Sequence, residues 1–239
     1  MQNVFFFANT RTRPLPKTKH VGDTMMKKFA IRWLSLTLAL LLCTVCCFAS
    51  SDAGQTKRVA LTYDDGPNGK ITQALLDLLE EEGVSATFFL CAYRVRVYPE
   101  LTQQIASRGH TIGVHGSTHV QMDVLSEEAM RFELLDSINA VTEITGRRVR
   151  HFRPPYGFTN ETLEGIAADL GLQTVLWNVD PEDWKYKNAK KITAHVLVQT
   201  GGESIILLHD LDLQTVYATG EIIRALRQQG YEFVTLDEF

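Results

Sequence analysis

From Arg58 to the C-terminus, short β-rich runs alternate with segments of helical periodicity, and no Pro/Gly/Ser-rich linker interrupts them. The predicted strands are Val59–Tyr63, Ala86–Leu90, Thr111–Val114, Val149–Phe152, Gln173–Trp177, Ser204–Leu208 and Glu232–Thr235. The predicted helices between them are Ile71–Glu82, Pro99–Ser107, Ser126–Thr145, Asn160–Leu170, Ala189–Gln199 and Val216–Gln229. Gly83, Gly109, Gly146, Gly171 and Gly230 supply helix stops, and Ser126, Asn160 and Asn188 supply N-caps. Strict alternation of this kind implies an α/β fold with right-handed crossovers and a mostly parallel sheet, either open and doubly wound or rolled into a barrel. The first β-to-α turn, Asp64-Asp65-Gly66-Pro67-Asn68-Gly69-Lys70, is no glycine-rich phosphate loop, which argues against nucleotide binding.

Charge divides the chain in two. Residues 1–50 carry seven Lys and Arg against the single acid Asp23, whereas residues 51–239 hold 17 basic and 27 acidic residues, a net charge of −10 hidden within the overall −4. So acidic a body is poorly suited to nucleic acid or anionic membranes. In the head, Lys27 and Lys28 precede an apolar run from Trp33 to Phe48, followed by the small residues Ala49, Ser50, Ser51 and Ala53. This is the order of an export signal, spanning roughly residues 25–49, and the small-residue cluster favours cleavage over retention as an N-terminal anchor. A lipoprotein signal fits less well, because Leu42, Val45 and Cys46 precede the cysteines where a small residue is expected. The expected division is an extension plus signal over 1–53 and one domain over 54–239, with translation starting at the Met25-Met26 pair and the product periplasmic, envelope-bound or secreted. Cys43, Cys46 and Cys47 fall within the signal, so the body keeps only Cys91 and no internal disulfide.

Unusual polar residues gather where the predicted strands end. Asp64 and Asp65 close the first, His115 and His119 follow the third, Arg153 the fourth, Asp180 and Asp183 the fifth, and His209 and Asp210 close the sixth. The C-terminal ends of parallel strands converge on one face, where sites are built. Histidines four apart share one face of a helical turn and can reach one ion. Seven histidines give about 0.2 such pairs by chance, so the pair alone says little and an acidic ligand nearby says more. Two imidazoles and one carboxylate leave a coordination position open for water, the mark of a catalytic rather than structural zinc site. Of the adjacent Asp64 and Asp65, one can bind metal while the other stays free to take a proton.

Thr62-Tyr63-Asp64-Asp65-Gly66-Pro67, His115-Gly116-Ser117-Thr118-His119, Arg153-Pro154-Pro155-Tyr156-Gly157, Asp180-Pro181-Glu182-Asp183-Trp184 and Leu207-Leu208-His209 resemble, in order, the five motifs of the polysaccharide deacetylases, the NodB-like carbohydrate esterases of family 4. The likeness covers roughly residues 57–239 and implies a distorted (β/α)7 barrel. It implies that Asp65, His115 and His119 hold a divalent metal, usually Zn2+, and that Asp64 is the general base, paired with Arg153. His209 would be the general acid, oriented by Asp183. Tyr156 would lend its backbone N–H to an oxyanion hole, and Pro155, Tyr156, Trp184 and Leu207 would contact substrate, the last two around the acetyl methyl.

The implied reaction removes N-acetyl groups from GlcNAc-containing glycans such as peptidoglycan or a chitin-like envelope polymer, releasing acetate and a free amine, by a chain for which a monomer is favoured. An O-acetyl esterase of xylan type, a hydrolase of non-sugar amides and an inactive glycan-binding protein remain as alternatives. One departure stands out: Gly116 occupies a position that is usually Ser or Thr in this family, where the hydroxyl steadies the histidine loop. The expectation is weaker metal affinity or a shifted hydroxyl contact. His20 lies in the head, and His110, His151 and His195 are expected to be structural or surface residues.

Overall fold

The computed structural model describes residues 57–239. The export signal, Cys43, Cys46, Cys47 and the boundary at residues 53 and 54 lie outside the described residues. Seven strands form one sheet: β1 Lys57–Asp64, β2 Thr87–Leu90, β3 Thr111–Val114, β4 His151–Phe152, β5 Gln173–Thr174, β6 Ser204–His209 and β7 Tyr231–Phe233. The order is β5-β4-β3-β2-β1-β6, with β7 pairing the N-terminal end of β1, and every strand pair is parallel. Around it lie α1 Gly69–Glu82, α2 Ala92–Val97, α3 Pro99–Ser107, α4 Glu127–Thr145, α5 Glu161–Asp169, α6 Ala189–Gln199 and α7 Leu213–Gln228. The sheet curls into a half-barrel, and a single bridge between Val179 and Ile206 extends it beyond β6.

Alternation along the strands creates two cores. Val59, Leu61 and Tyr63 of β1 belong to the large apolar layer between sheet and helices, together with Leu75, Leu76 and Leu79 of α1. Fully burying a leucine of this kind contributes about 1.5–3 kcal/mol. The alternate residue Ala60 faces the inside of the curl, where it meets Phe89, Val175 and Leu236. By the same period of two, Thr62 and Asp64 also point inward. The small inner core leaves its upper end to polar side chains.

Helix ends follow local chemistry. Ser126, Asn160 and Asn188 each accept a hydrogen bond from the backbone N–H three residues on. Gly83 and Gly146 close α1 and α4 in the left-handed conformation that glycine adopts at least cost. Strict alternation fails at one place, because α2 and α3 follow β2 in tandem. The run from Ala92 to Val97 has too few residues for helical periodicity to declare itself. No helix among the described residues is long and apolar enough to cross a membrane.

Candidate active site

The strand ends place the expected residues around one cleft of about 560 Å³, lined by Asp64, Asp65, His115, His119, Tyr156, Trp184, Leu207 and His209, with Phe158, Trp177 and Asp180. Asp64 and His209 are register partners at the ends of β1 and β6. Parallel partners project to the same side, so both face the cleft. Four non-glycine residues among those described have left-handed backbones: Asp65 (φ 74°), His119 (φ 63°), Tyr156 (φ 63°) and Glu182 (φ 53°). All four lie in loops around the cleft, and each such conformation costs of order 1–3 kcal/mol, which only surrounding structure can hold in place.

Arg153 anchors the floor. Fully buried, it donates from Nη1 to Asp64 Oδ1 at 2.9 Å and to Thr62 Oγ1 at 2.7 Å, from Nε to Val175 O at 3.1 Å and from Nη2 to Leu176 O at 3.0 Å. Its guanidinium also sits 4.2 Å from the centre of the Phe89 ring. These bonds explain why β5 stops at Thr174 although β-propensity continues to Trp177: the carbonyls of Val175 and Leu176 serve the arginine instead of a ladder.

His115 and His119 meet as expected, with ring centroids 5.0 Å apart, but not on a helix. Left-handed turns at Gly116 and His119 make the segment an irregular loop, so the four-residue spacing works through a turn and not through helical periodicity. His115 Nδ1 donates to Arg153 O at 2.7 Å, which leaves Nε2 as the free ring atom, 3.4 Å from Asp65 Oδ1. His119 Nε2 lies 2.9 Å from the same oxygen. One ligand atom from each of Asp65, His115 and His119 falls within 4.8 Å of the other two. Asp65 Oδ1 is buried and satisfied by no hydrogen bond of proper geometry, an orphan that suits a cation. Burial alone would raise the Asp65 carboxyl, yet the two histidines outweigh it and hold it well below the usual carboxylate range. The donor set therefore fits a divalent ion such as Zn2+.

Opposite this trio, Asp183 is buried and accepts three hydrogen bonds: His209 Nδ1–H at 2.8 Å on Oδ1, and His209 N–H at 2.9 Å and the Thr215 hydroxyl at 2.8 Å on Oδ2. Burial pushes the His209 imidazole down, but the bond and charge of Asp183, with Asp64 and Asp65 behind, raise it to about 9. The ring is thus an imidazolium at neutral pH, with its second nitrogen free.

Tyr156 packs its ring edge-on against His119 at 4.9 Å between centroids. Leu207 is buried beside the cleft, while Tyr156, Phe158 and Trp184 are more than half exposed around it. Pro155 is buried against Gly116 of the histidine loop and lies outside the lining of the cleft. Asp210 also turns away. It accepts from the Thr72 hydroxyl under the Asp65-Gly66 turn, where burial raises its carboxyl to about 7. His110 Nδ1 accepts from Ala86 N–H, and His151 pairs with Asp237, so both have structural partners.

Trp177 and Phe158 join the cleft although no motif marks them. Trp177 abuts Gly157, where an added Cβ would come within 2.8 Å of the indole. Its place at the end of the fifth predicted strand was the available signal.

A family profile described as polysaccharide deacetylase matches residues 51–175. The chain belongs to the polysaccharide deacetylase family. Within it, the peptidoglycan-N-acetylglucosamine deacetylase PgdA of Listeria monocytogenes is 38% identical over 186 residues, which are 78% of this chain and 39% of that protein. This chain thus spans about two fifths of the length of the first curated relatives it matches. A peptidoglycan-N-acetylglucosamine deacetylase of Bacillus cereus is 37% identical over 187 residues, 76% of this chain and 87% of that protein. Among solved structures, the peptidoglycan deacetylase PdaC of Bacillus subtilis superposes with a TM-score of 0.71 at 38% identity, covering 77% of this chain and 89% of that one.

Proposed function

We propose that residues 54–239 form a divalent-metal-dependent deacetylase that hydrolyses N-acetyl groups of GlcNAc-containing envelope glycan, and that residues 1–53 deliver it out of the cytoplasm. One observation carries this reading. Asp64, fixed by Arg153, and His209, fixed by Asp183, stand side by side as register partners on the cleft, beside the Asp65–His115–His119 trio. A proton acceptor and a proton donor on one cleft are what amide hydrolysis needs and what a binding groove does not. Peptidoglycan is the favoured substrate, because the named activities of the Listeria and Bacillus relatives are on that polymer.

Asp65, His115 and His119 would hold the cation, most simply Zn2+, which when bound supplies Lewis acidity to a carbonyl and lowers the pKa of water. Asp64 keeps Oδ1 on Arg153 and takes the proton of the attacking water on its other oxygen. The Tyr156 N–H faces the oxygen on which negative charge grows as the acetyl carbon becomes tetrahedral. His209 gives its proton to the sugar nitrogen as the C–N bond breaks, so acetate leaves and the glycan keeps an amine. Trp184 and Leu207 enclose the methyl group, and the exposed faces of Tyr156, Phe158 and Trp184 offer apolar surface to sugar rings along an open cleft suited to a polymer.

Incubating the chain and zinc with peptidoglycan, acetylated chitooligosaccharide and acetylated xylan, then measuring acetate and free amine, tests this. Acetate and amine in equal amounts are expected, and acetate without amine marks an O-acetyl esterase. Glycan binding without acetate, equal in wild type and Asp64→Ala, would show a binding protein. His119→Ala is expected to abolish stoichiometric zinc in elemental analysis.

A further inference from the structure

With Gly116 in place of a hydroxyl residue, the loop that carries both metal histidines needs another support. We propose that the buried carboxylate of Glu133, on α4, is the positioning residue for this loop and sets the affinity of the site for its cation. Because this rests on the metal reading above, its test must separate the two.

Glu133 is 6% exposed. Its Oε2 accepts from Ser117 N–H at 2.6 Å and Thr118 N–H at 2.9 Å, and its Oε1 accepts from the Thr118 hydroxyl at 2.7 Å. Three donors from two consecutive residues thus converge on one carboxylate. Charge-assisted bonds of this type are about twice as strong as neutral ones. The opposite edge of the loop is held too: Gly116 O and Ser117 O accept from Ala92 and Tyr93 N–H, each at 3.1 Å. Ser117 Oγ reaches Asp136, which Arg96 grips at 3.0 and 2.6 Å. His115 and His119 flank this clamped tripeptide on either side.

Packing gives no reason for a glutamate here. Buried neighbours on the same helix are Met130, Leu134, Ala140 and Val141 with the small Ser137, whose hydroxyl donates to the Glu133 carbonyl, and glutamate is almost never fully buried unless paired. Gly116 is matched to it. Its φ of 79° lies in the left-handed region, and a Cβ built there would lie 3.3 Å from Glu133 Oε2. The hydroxyl that the family usually carries after the first histidine has its counterpart in the pairing of Thr118 with Glu133, two residues later in the loop.

The test is zinc affinity, measured by competition with a fluorescent chelator and independent of turnover. Glu133→Gln keeps the shape but removes the charge that assists the bonds to Ser117 and Thr118, and is expected to weaken zinc binding about 10-fold, the lower end of the usual cost of disturbing an outer-shell partner. The zinc concentration giving half-maximal deacetylation should rise by the same factor. Thr118→Val, at an exposed position, removes one bond and should weaken binding several-fold even if the Gln variant folds poorly. Leu134→Ala, buried on the next position of α4, is the stability control: its unfolding midpoint should drop while zinc affinity stays as in wild type. Wild-type affinity in folded Glu133→Gln or in Thr118→Val overturns the proposal, and so does equal weakening in Leu134→Ala. A wild-type chain that retains no zinc overturns the metal reading itself, a result distinct from these.

Discussion

Replacing Asp183 by Asn should produce activity and stability defects with opposite pH dependence. The wild-type carboxylate accepts two hydrogen bonds on Oδ2, from His209 N–H and Thr215, and one on Oδ1, from His209 Nδ1–H. An Asn keeps the doubly bonded position by placing its oxygen there, so its NH2 faces His209 Nδ1. A ring that meets a donor cannot hold a proton at that nitrogen, and the imidazolium loses its partner. His209 therefore falls from about 9 to the ordinary histidine value of 6.5 or below. At about pH 8 the wild-type acid is about nine-tenths protonated and the variant's about 3%, so kcat/KM drops about 30-fold from protonation alone. At about pH 6 the same effect is less than about twofold.

Stability runs the other way. A group whose folded pKa is raised contributes stability that is fully present below the unfolded pKa and is lost as pH rises through the folded one. A difference of about 2.5 pH units is worth about 3 kcal/mol, so wild type should melt about 6–12 °C above the variant below about pH 6.5, with the gap closing toward about pH 9. Two assays suffice: the pH profile of kcat/KM from amine release, and melting followed by circular dichroism across the same pH range. Coincident alkaline limbs for the two proteins, or a melting gap that widens with pH, would refute the assignment of Asp183 as the group that keeps His209 charged.

Other substitutions probe the frame around the cleft. Arg153→Lys keeps the charge but loses the planar fork, leaving Thr62, Val175 and Leu176 short of donors in a buried site; urea unfolding should show a loss of about 3–5 kcal/mol. Gly66→Ala places a Cβ against the Asp210 carboxylate, and should cost about 1–3 kcal/mol, with part recovered in the double variant with Asp210→Ala. Gly116→Ser restores the family's usual residue yet forces a side chain into a left-handed turn at a cost of about 1 kcal/mol; chelator competition should find zinc binding no tighter than wild type. Trp184→Ala should raise KM for oligosaccharides more than it lowers kcat, since the ring is more than half exposed beside the cleft.

What was legible in the sequence was the placing of polar residues at the ends of apolar runs. Asp64, His115, Arg153 and His209 interrupt β-rich segments where no packing explains them, and the parallel topology that those segments imply brings their ends together. Helix boundaries were readable where a single residue does local work, as with the Ser126, Asn160 and Asn188 caps. Features that depend on tertiary approach were not. The shortened β5 follows from an arginine that comes from the neighbouring strand end and takes its carbonyls. The histidine pair looks helical by spacing, but a left-handed glycine decides otherwise. Glu133 sits among Arg131, Phe132, Asp136 and Glu143 in a mixed helix, and nothing in that pattern separates it from a solvated face until the loop closes on it.

The half-barrel also explains why the proposed catalytic constellation can be buried at all. Four side chains, Ala60, Phe89, Val175 and Leu236, fill the inner core, and above them Arg153 stands where an apolar plug would otherwise be. An unpaired arginine there would be untenable, so Asp64, Thr62 and two carbonyls of the β5 strand end must all be present to satisfy it. The proposed base is thus held in place by the same bonds that make the interior tolerable. Since Asp64 and His209 are register partners, a one-residue slip of β1 against β6 would turn Asp64 out of the cleft and strand the arginine together. Selection for a stable interior and selection for a placed base therefore act on the same residues. A variant that removes both charges, Arg153→Met with Asp64→Leu, should accordingly regain most of the stability lost in Arg153→Met alone while remaining inactive. A double variant no more stable than the single one in urea would mean that the pair is not the element that fixes the floor.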